Sequence, residues 1–361
     1  IIADSGSTDK TVEVAKQFAD KVIEIDTKTF HHGKTRNLLA ENASGDYLVF
    51  TVQDAAPVGP TWLFQLISPL LHDQCDATSV RQIPRSDADL FAQWATLGFY
   101  RYLNYSSDNI RSKTTLASEV KQEGLDTDTK RRLIHLDNTC TAISRELFQQ
   151  FKFTMDYGED LDLGDRLFNE GYRLQYQSDN AIVHSHNRLA AYFFKRAYVD
   201  NIFLAKIINI PRVENYKSAD LFSAIAWIYP QFSQLIHLWA NKDLSSDLKP
   251  TQSIIDLTKI IETCPFNNPN PLNKQRTDKT LHPLLEDYYP SAMPQAEIIH
   301  MVKSAIKGSL LDFSHYLDNF NNWPAEKEEI IDTLHKAFAS SSASVAAMNS
   351  QDNNTELMRG I

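Results

Sequence analysis

The first half of the chain alternates short apolar runs with amphipathic stretches. Residues 1–3 read as the end of a buried strand. Residues 11–19 read as a helix whose apolar positions are Val12, Val14, Ala15 and Phe18. The alternation continues with a strand at 21–25, a helix at 35–43, and a run of β-formers at 47–52. A helix at 60–71 and a strand at 77–82 follow. The cluster Pro57-Val58-Gly59-Pro60 marks a turn after the third strand. Strands and helices alternating at this spacing predict an α/β fold, a mostly parallel sheet covered by helices.

From residue 86 to 132 the pattern is helical and loop-like, with polar stretches at 106–108 and 126–130. Strand character returns at 133–143, a short helix is predicted at 145–151, and a longer one at 161–170 stops at Gly171. Two further strands are predicted at 172–176 and 181–184. Past residue 187 long helical patterns take over (189–208, 219–240, 254–261, 296–306, 326–339), interrupted by a Pro- and Asn-rich linker at 264–273. The expected organisation is an α/β domain over 1–200, a helical region over 201–340 and a frayed tail over 341–361. The chain opens on an apolar run with no methionine, so elements ahead of residue 1 are expected to be missing.

Composition narrows the function. Of 361 residues, 42% are hydrophobic and 23% charged, which describes an ordinary soluble protein and excludes a fibrous or disordered chain. A net charge of −10 gives no bulk attraction to nucleic acid, so an anionic ligand needs a local device: a metal, a helix N-terminus or a placed Lys or Arg. Cys75, Cys140 and Cys264 are scattered and odd in number, which fits a reducing, cytoplasmic compartment without a disulfide framework. The most apolar stretch, 221–240, is broken by Pro230, Gln231, Gln234 and His237, and falls short of the ~20 apolar residues that span a bilayer.

Five segments carry candidate chemistry. Asp4-Ser5-Gly6-Ser7-Thr8-Asp9 follows a strand and precedes a helix, placing Asp4 at a strand's carboxyl end, where open α/β sheets bind ligands. A well-capped turn without ligand is the plain alternative. Asp54 stands where the 47–52 strand ends and is placed to hold Mg²⁺ or Mn²⁺ against a diphosphate, or else to cap the turn. Glu159 and Asp160 lie in an acidic helix start, a common structural device that would also serve a reaction needing a carboxylate base. His184 and His186, at i and i+2 after a strand, can face one side as metal ligation requires, or be structural. Lys34 and Arg36 begin a helix, where positive charge is not locally favoured, so they suggest a phosphate- or acceptor-facing role or solvent exposure.

These segments, taken in order, resemble the family 2 glycosyltransferases, and most closely the bacterial rhamnosyltransferase-like branch. The matching stretches are the one at Asp4–Asp9, His32-Gly33-Lys34-Thr35-Arg36-Asn37, Gly45-Asp46-Tyr47-Leu48-Val49-Phe50 and Gln53-Asp54-Ala55-Ala56-Pro57. Arg81-Gln82-Ile83-Pro84-Arg85, Gly158-Glu159-Asp160 and His184-Ser185-His186 complete the set, which covers residues 1–200. The resemblance implies a GT-A fold, a nucleotide-sugar donor, a divalent cation, inversion at the anomeric carbon, and a glycan or lipid-linked acceptor. It implies rhamnose as the sugar only through the branch. On this resemblance Asp4, with Ser5 and Gly6, binds the nucleotide; Lys34, Arg36, Asn37, Gln53, Arg81 and Gln82 belong to the donor site. Asp54 holds the metal with His184 or His186, and Asp160, with Glu159 beside it, is the catalytic base. Val52 stands in place of the first acid of the DxD motif, which weakens the expectation of a metal.

Two rivals remain at this level. One is a non-catalytic module that binds nucleotide or carbohydrate on a degenerate transferase fold; the other is a nucleotidyltransferase with a similar layout. The helix at 189–208 carries Tyr192, Phe193, Phe194, Lys195, Arg196 and Tyr198, which suits either peripheral contact with the inner face of a membrane or plain packing.

Overall fold

The structure, a computed structural model, describes residues 1–103, 110–113, 125–213, 215–244, 248–267 and 281–354. The polar stretch at 106–108, most of the linker expected at 264–273 and the last seven residues lie outside these. The chain divides into two compact units, one made of residues 1–85 and 100–184, the other of 86–99 and 185–361.

In the first unit, β1 (Ile2–Asp4), α1 (Thr11–Phe18), β2 (Val22–Glu24) and α2 (His32–Glu41) come first. Then follow β3 (Tyr47–Thr51), β4 (Ala56–Pro57), α3 (Trp62–Leu71) and β5 (Ala77–Ile83). After α4 (Leu90–Leu103), whose last residues return to this unit, come β6 (Ile110–Arg111), α5 (Thr127–Leu133), β7 (Cys140–Ser144), α6 (Arg145–Phe151), α7 (Glu159–Asn169) and β8 (Leu174–Val183).

Strands β1 and β2 pair in parallel. The main sheet runs β3-β7-β5-β8-β4, with β6 also on β8. Its longer strands β3, β5 and β8 share a direction, as an α/β sheet predicts, and β7 runs against them between β3 and β5. The sheet is therefore more mixed than the strand–helix alternation suggested, because β7 is fed by a loop from α5 instead of by a crossover helix. The two strands predicted at 172–176 and 181–184 are one: β8 passes β5 with a register shift at Val80/Arg81, where Ser178, Asp179 and Asn180 bulge out.

Period-2 alternation along β3 fills both faces. Tyr47 and Val49 pack with Leu66, Leu70, Val80, Ala142 and Ile182 under α3. Phe50 faces the other way, onto Phe148 of α6 and onto Phe153. Cys75 and Cys140 are buried in this core and free, and burial pushes both thiols up to about 12.

The second unit is helical: α8 (Ala190–Ile208), α9 (Ser218–Asp243), α10 (Pro250–Thr263), α11 (His282–Leu285), α12 (Ala296–Leu317) and α13 (Lys327–Asn349). The α/β layout and helical C-terminal region expected from the sequence are thus both present. One expectation changes. The tail expected to fray from 341 continues as helix to Asn349, with Ala343, Ala346 and Ala347 buried. Of the α8 aromatics, for which the sequence left membrane contact and plain packing open, Phe194 and Tyr198 are fully buried against Phe222, and Phe193 packs on Phe91. Packing accounts for them. Among the described residues no helix is long and apolar enough to cross a membrane.

Candidate active site

Strand pairing brings distant residues to one rim of the main sheet. Thr51, at the end of β3, pairs with Cys140, at the start of β7, and its hydroxyl donates to Thr139 O at 3.0 Å. At the end of β5, Ile83 pairs with Val183 of β8 and accepts the His184 N–H at 3.0 Å. Because Ala56 of β4 also pairs with Val183, Asp54, two residues earlier, comes beside His184, one residue later. The His184 Nε2 lies 3.4 Å from Asp54 Oδ1. His184 is buried while Asp54 is exposed, so the pair has one anchored and one solvent-facing member. His186, half-buried, follows two residues along, in the second unit.

From His184 a chain of hydrogen bonds runs inward. Its Nδ1 is 2.7 Å from Gln82 Oε1, and Gln82 Nε2 donates to Asp137 Oδ2 at 2.6 Å and to Thr139 Oγ1 at 3.0 Å. Asp137 also accepts from Tyr100 Oη at 3.1 Å, from Thr139 N at 3.0 Å and from Thr139 Oγ1 at 2.7 Å. Burial opposes the Asp137 charge, but nearby His135 and these donors outweigh it and hold the carboxyl below its usual range. His135 itself is pushed down to about 3, mainly by burial and then by Arg131, so it is neutral near pH 7.

Asp160 lies next to this group, in the first turn of α7. Gly158 caps that helix at φ +66°, a conformation that glycine adopts without strain. Asn138 N–H donates to Asp160 Oδ2 at 3.0 Å. The loop carrying Asp137 and Asn138 can approach α7 this closely because position 164 is glycine: a Cβ there would sit 2.0 Å from Ile134 O. Asp160 is half-buried, and its carboxyl is pushed up to about 7, by burial first and then by the charges of Glu159 and Asp137; the Asn138 N–H and Arg36 pull the other way. A half-buried carboxyl pushed up toward neutrality is suited to take a proton.

Other expected site residues have different work. Glu159, read with Asp160 as a candidate for the catalytic base, is buried and bonded to Arg36 Nη1 at 2.6 Å and to Asn138 Nδ2 at 3.0 Å. Arg36 therefore neutralises Glu159 inside the unit instead of facing a phosphate. The Asn37 side chain holds the Phe153 backbone at both ends, donating to its O at 2.9 Å and accepting from its N at 3.0 Å. Lys34 is exposed, 3.6 Å from Asp156. Arg81 and Gln53 are exposed, and Val52 is half-buried.

Asp4 is buried at the end of β1 and accepts the N–H groups of Gly6 and Ser7, each at 3.0 Å. Bonds from Ser7, side chain first, hold its carboxyl below the usual range. Ser5 O accepts from the Thr27 hydroxyl, which ties the turn to the segment after β2. Asp4 thus organises the turn expected of it, whatever else the turn binds. A cavity lined by Tyr47, Asp76, Ser144 and Tyr172 opens at the opposite edge, where β3 begins and β7 ends, away from all these groups.

Sequence reading missed Asp137, Asn138 and Tyr100. The run Leu136-Asp137-Asn138-Thr139 was absorbed into a strand at 133–143, although Asp and Asn are depleted in strands and signal a loop.

Residues 1–151 match the sequence profile of Glycosyl transferase family 2. The O-antigen chain rhamnosyltransferase WbaN of Salmonella anatum is 30% identical over 210 residues, 57% of this chain and 62% of that protein. The O-antigen chain rhamnosyltransferase RfbN of Salmonella typhimurium is 29% identical over 211 residues, with the same coverage. The chain thus spans 62% of the length of the curated relatives it matches. Among solved structures, the mannosyltransferase PcManGT from Pyrobaculum calidifontis, in complex with GDP-Man and Mn²⁺, is 20% identical with a TM-score of 0.42, over 58% of this chain and 55% of that one. Glucosyl-3-phosphoglycerate synthase from Mycobacterium tuberculosis, in complex with Mn²⁺, UDP and glucosyl-3-phosphoglycerate, is 19% identical with a TM-score of 0.38, over 58% and 69%.

Proposed function

We propose, from the match of residues 1–151 to Glycosyl transferase family 2, that the protein is an inverting glycosyltransferase. It transfers a sugar from a nucleoside-diphosphate donor to a hydroxyl of a glycan or lipid-linked acceptor. The observation that carries the proposal is the half-buried Asp160, pushed up to about 7, on the rim that also holds the Asp54–His184 pair. The rhamnosyltransferase names of two relatives support rhamnose as the sugar.

The donor set fits a divalent cation. A carboxylate oxygen and an imidazole nitrogen 3.4 Å apart are spaced as neighbouring ligands of one ion would be, each at about 2.0–2.2 Å from it. Asp54 and His184 would hold it. A nitrogen donor favours Mn²⁺ over Mg²⁺, which prefers oxygen and keeps its water. When bound, such an ion supplies positive charge that stabilises a leaving diphosphate.

The chain's own groups do the rest. Asp160 accepts the proton of the acceptor hydroxyl. The hydroxyl oxygen bonds to the anomeric carbon as the bond to the nucleoside diphosphate breaks on the opposite face, and that electron pair leaves with the diphosphate. The Asp4-Ser5-Gly6 turn receives the nucleoside, and the exposed cations of Lys34 and Arg81, with Gln53, line the approach of the phosphates.

Val52, in place of the first DxD acid, favours a second reading: a module that binds the donor without turnover. Incubating the full-length protein with UDP-, GDP- and dTDP-linked sugars, with and without Mn²⁺, separates the two. Release of nucleoside diphosphate from one donor, stimulated by Mn²⁺, is the expected result. Binding without release supports the module, and no binding of any donor overturns both.

A further inference from the structure

The geometry points to Gln82 as the positioning residue of the cation site: its amide fixes the ring of His184 with Nδ1 protonated and the Nε2 lone pair turned toward Asp54. This rests on the cation site proposed above and assigns Gln82 a role other than contact with the donor sugar.

The amide can face only one way. Its Nε2 end meets Asp137 Oδ2 at 2.6 Å, and that carboxylate accepts without donating. The opposite orientation would set two oxygens against each other at that distance, in a site where Asp137 is held ionised. Tyr100, Thr139 N and Thr139 Oγ1 hold the same carboxylate from other sides, so it is not free to turn away. Gln82 Oε1 therefore faces His184 Nδ1, 2.7 Å away, and as an acceptor it requires a hydrogen on that nitrogen.

A neutral imidazole with its proton on Nδ1 presents a lone pair at Nε2. The Nε2 atom lies 3.4 Å from an Asp54 oxygen. Two acceptors so placed gain from a cation between them, and a ring prevented from flipping has already spent the entropy of orientation. The order of groups is Asp137, Gln82, His184, Asp54: a buried anion sets an amide, the amide sets a tautomer, and the tautomer sets a ligand. Strand register supports it, because Gln82 pairs with Ile182 and carries its amide to the same rim as His184.

The test is Mn²⁺ binding by the protein without donor or acceptor, titrated calorimetrically and by the Mn²⁺ electron spin resonance signal. Wild type, His184→Ala, Gln82→Met and Thr139→Val are compared, with circular dichroism confirming the fold. Gln82→Met keeps the length of the side chain but neither end of the amide. It is expected to weaken Mn²⁺ binding about 10–100-fold, the range for groups that orient a metal-bound histidine. His184→Ala should lose more, and Thr139→Val, which removes one of the two acceptors of Gln82 Nε2 and one donor to Asp137 but leaves the Gln82–Asp137 bond, should lose less. If Gln82→Met fails to fold, Gln82→Asn, whose amide is drawn back from His184, is read in the same way. Wild-type binding lost in His184→Ala but kept within twofold in the folded Gln82 variant overturns this assignment alone. Wild type that binds no Mn²⁺ overturns the cation site itself.

Discussion

Asn138 donates its backbone N–H to Asp160 Oδ2 across 3.0 Å, so the loop entering β7 and the first turn of α7 hold one carboxylate between them. That carboxyl is pushed up to about 7, by burial and then by Glu159 and Asp137, against the pull of Asn138 and Arg36. A base acts only when ionised. The kcat/KM for sugar transfer is therefore expected to rise with pH along an acidic limb centred near this value, and to be low at pH 5. A flat profile from pH 5 to 8, measured by nucleoside diphosphate release, would mean that another group takes the proton.

Removing the Asp137 charge should move that limb. Asp137→Asn takes away one of the two anions that raise Asp160, so the limb is expected at lower pH than in wild type. The position of the limb, not the maximal rate, is the diagnostic quantity, because lost packing alone would lower the rate without moving it.

The Arg36–Glu159 pair predicts a stability effect where the sequence suggested a binding effect. Both side chains are largely shielded from water, at 14% and 7% exposure. Leaving one buried charge unpaired costs about 3–5 kcal/mol. Arg36→Met should therefore lower the thermal midpoint markedly, with donor affinity in the remaining folded protein nearly unchanged. Selective loss of donor binding at full stability would return Arg36 to the phosphate site.

Gly164→Ala tests how the site loop is seated. The added methyl would meet Ile134 O at 2.0 Å, a backbone atom that cannot swing aside. Overpacking of this kind costs about 1–3 kcal/mol. Transfer should fall with stability, since the displaced loop carries both Asp137 and Asn138. An unfolding curve that overlays wild type would show that the loop has room to move.

Much of this was legible in the sequence because local pattern and function coincided. The strand at 47–52 and its following Asp54 are written in consecutive residues, as are β8 and the histidine after it, so their meeting needed only the register of the short β4. What escaped notice depends on contacts distant in sequence. Gln82 and Asp137 are 55 residues apart, and nothing near either one announces the other. Arg36 and Glu159, 123 residues apart, looked like two functional groups because each was read without its partner. The polar interruption at 178–180 was correctly seen as a break but taken for the end of a strand, whereas the ladder continues around it as a bulge. Alternation of residue types reports which face a side chain occupies. It does not report which buried charge will neutralise it.

Asp160→Asn is the most direct test of the account, with donor binding and sugar transfer measured on the same preparation. Loss of a general base costs about 10²–10⁴-fold in rate. The account expects a loss of transfer in that range, with affinity for the nucleotide sugar close to wild type and Mn²⁺ binding intact. Transfer at the wild-type rate by this variant would contradict it.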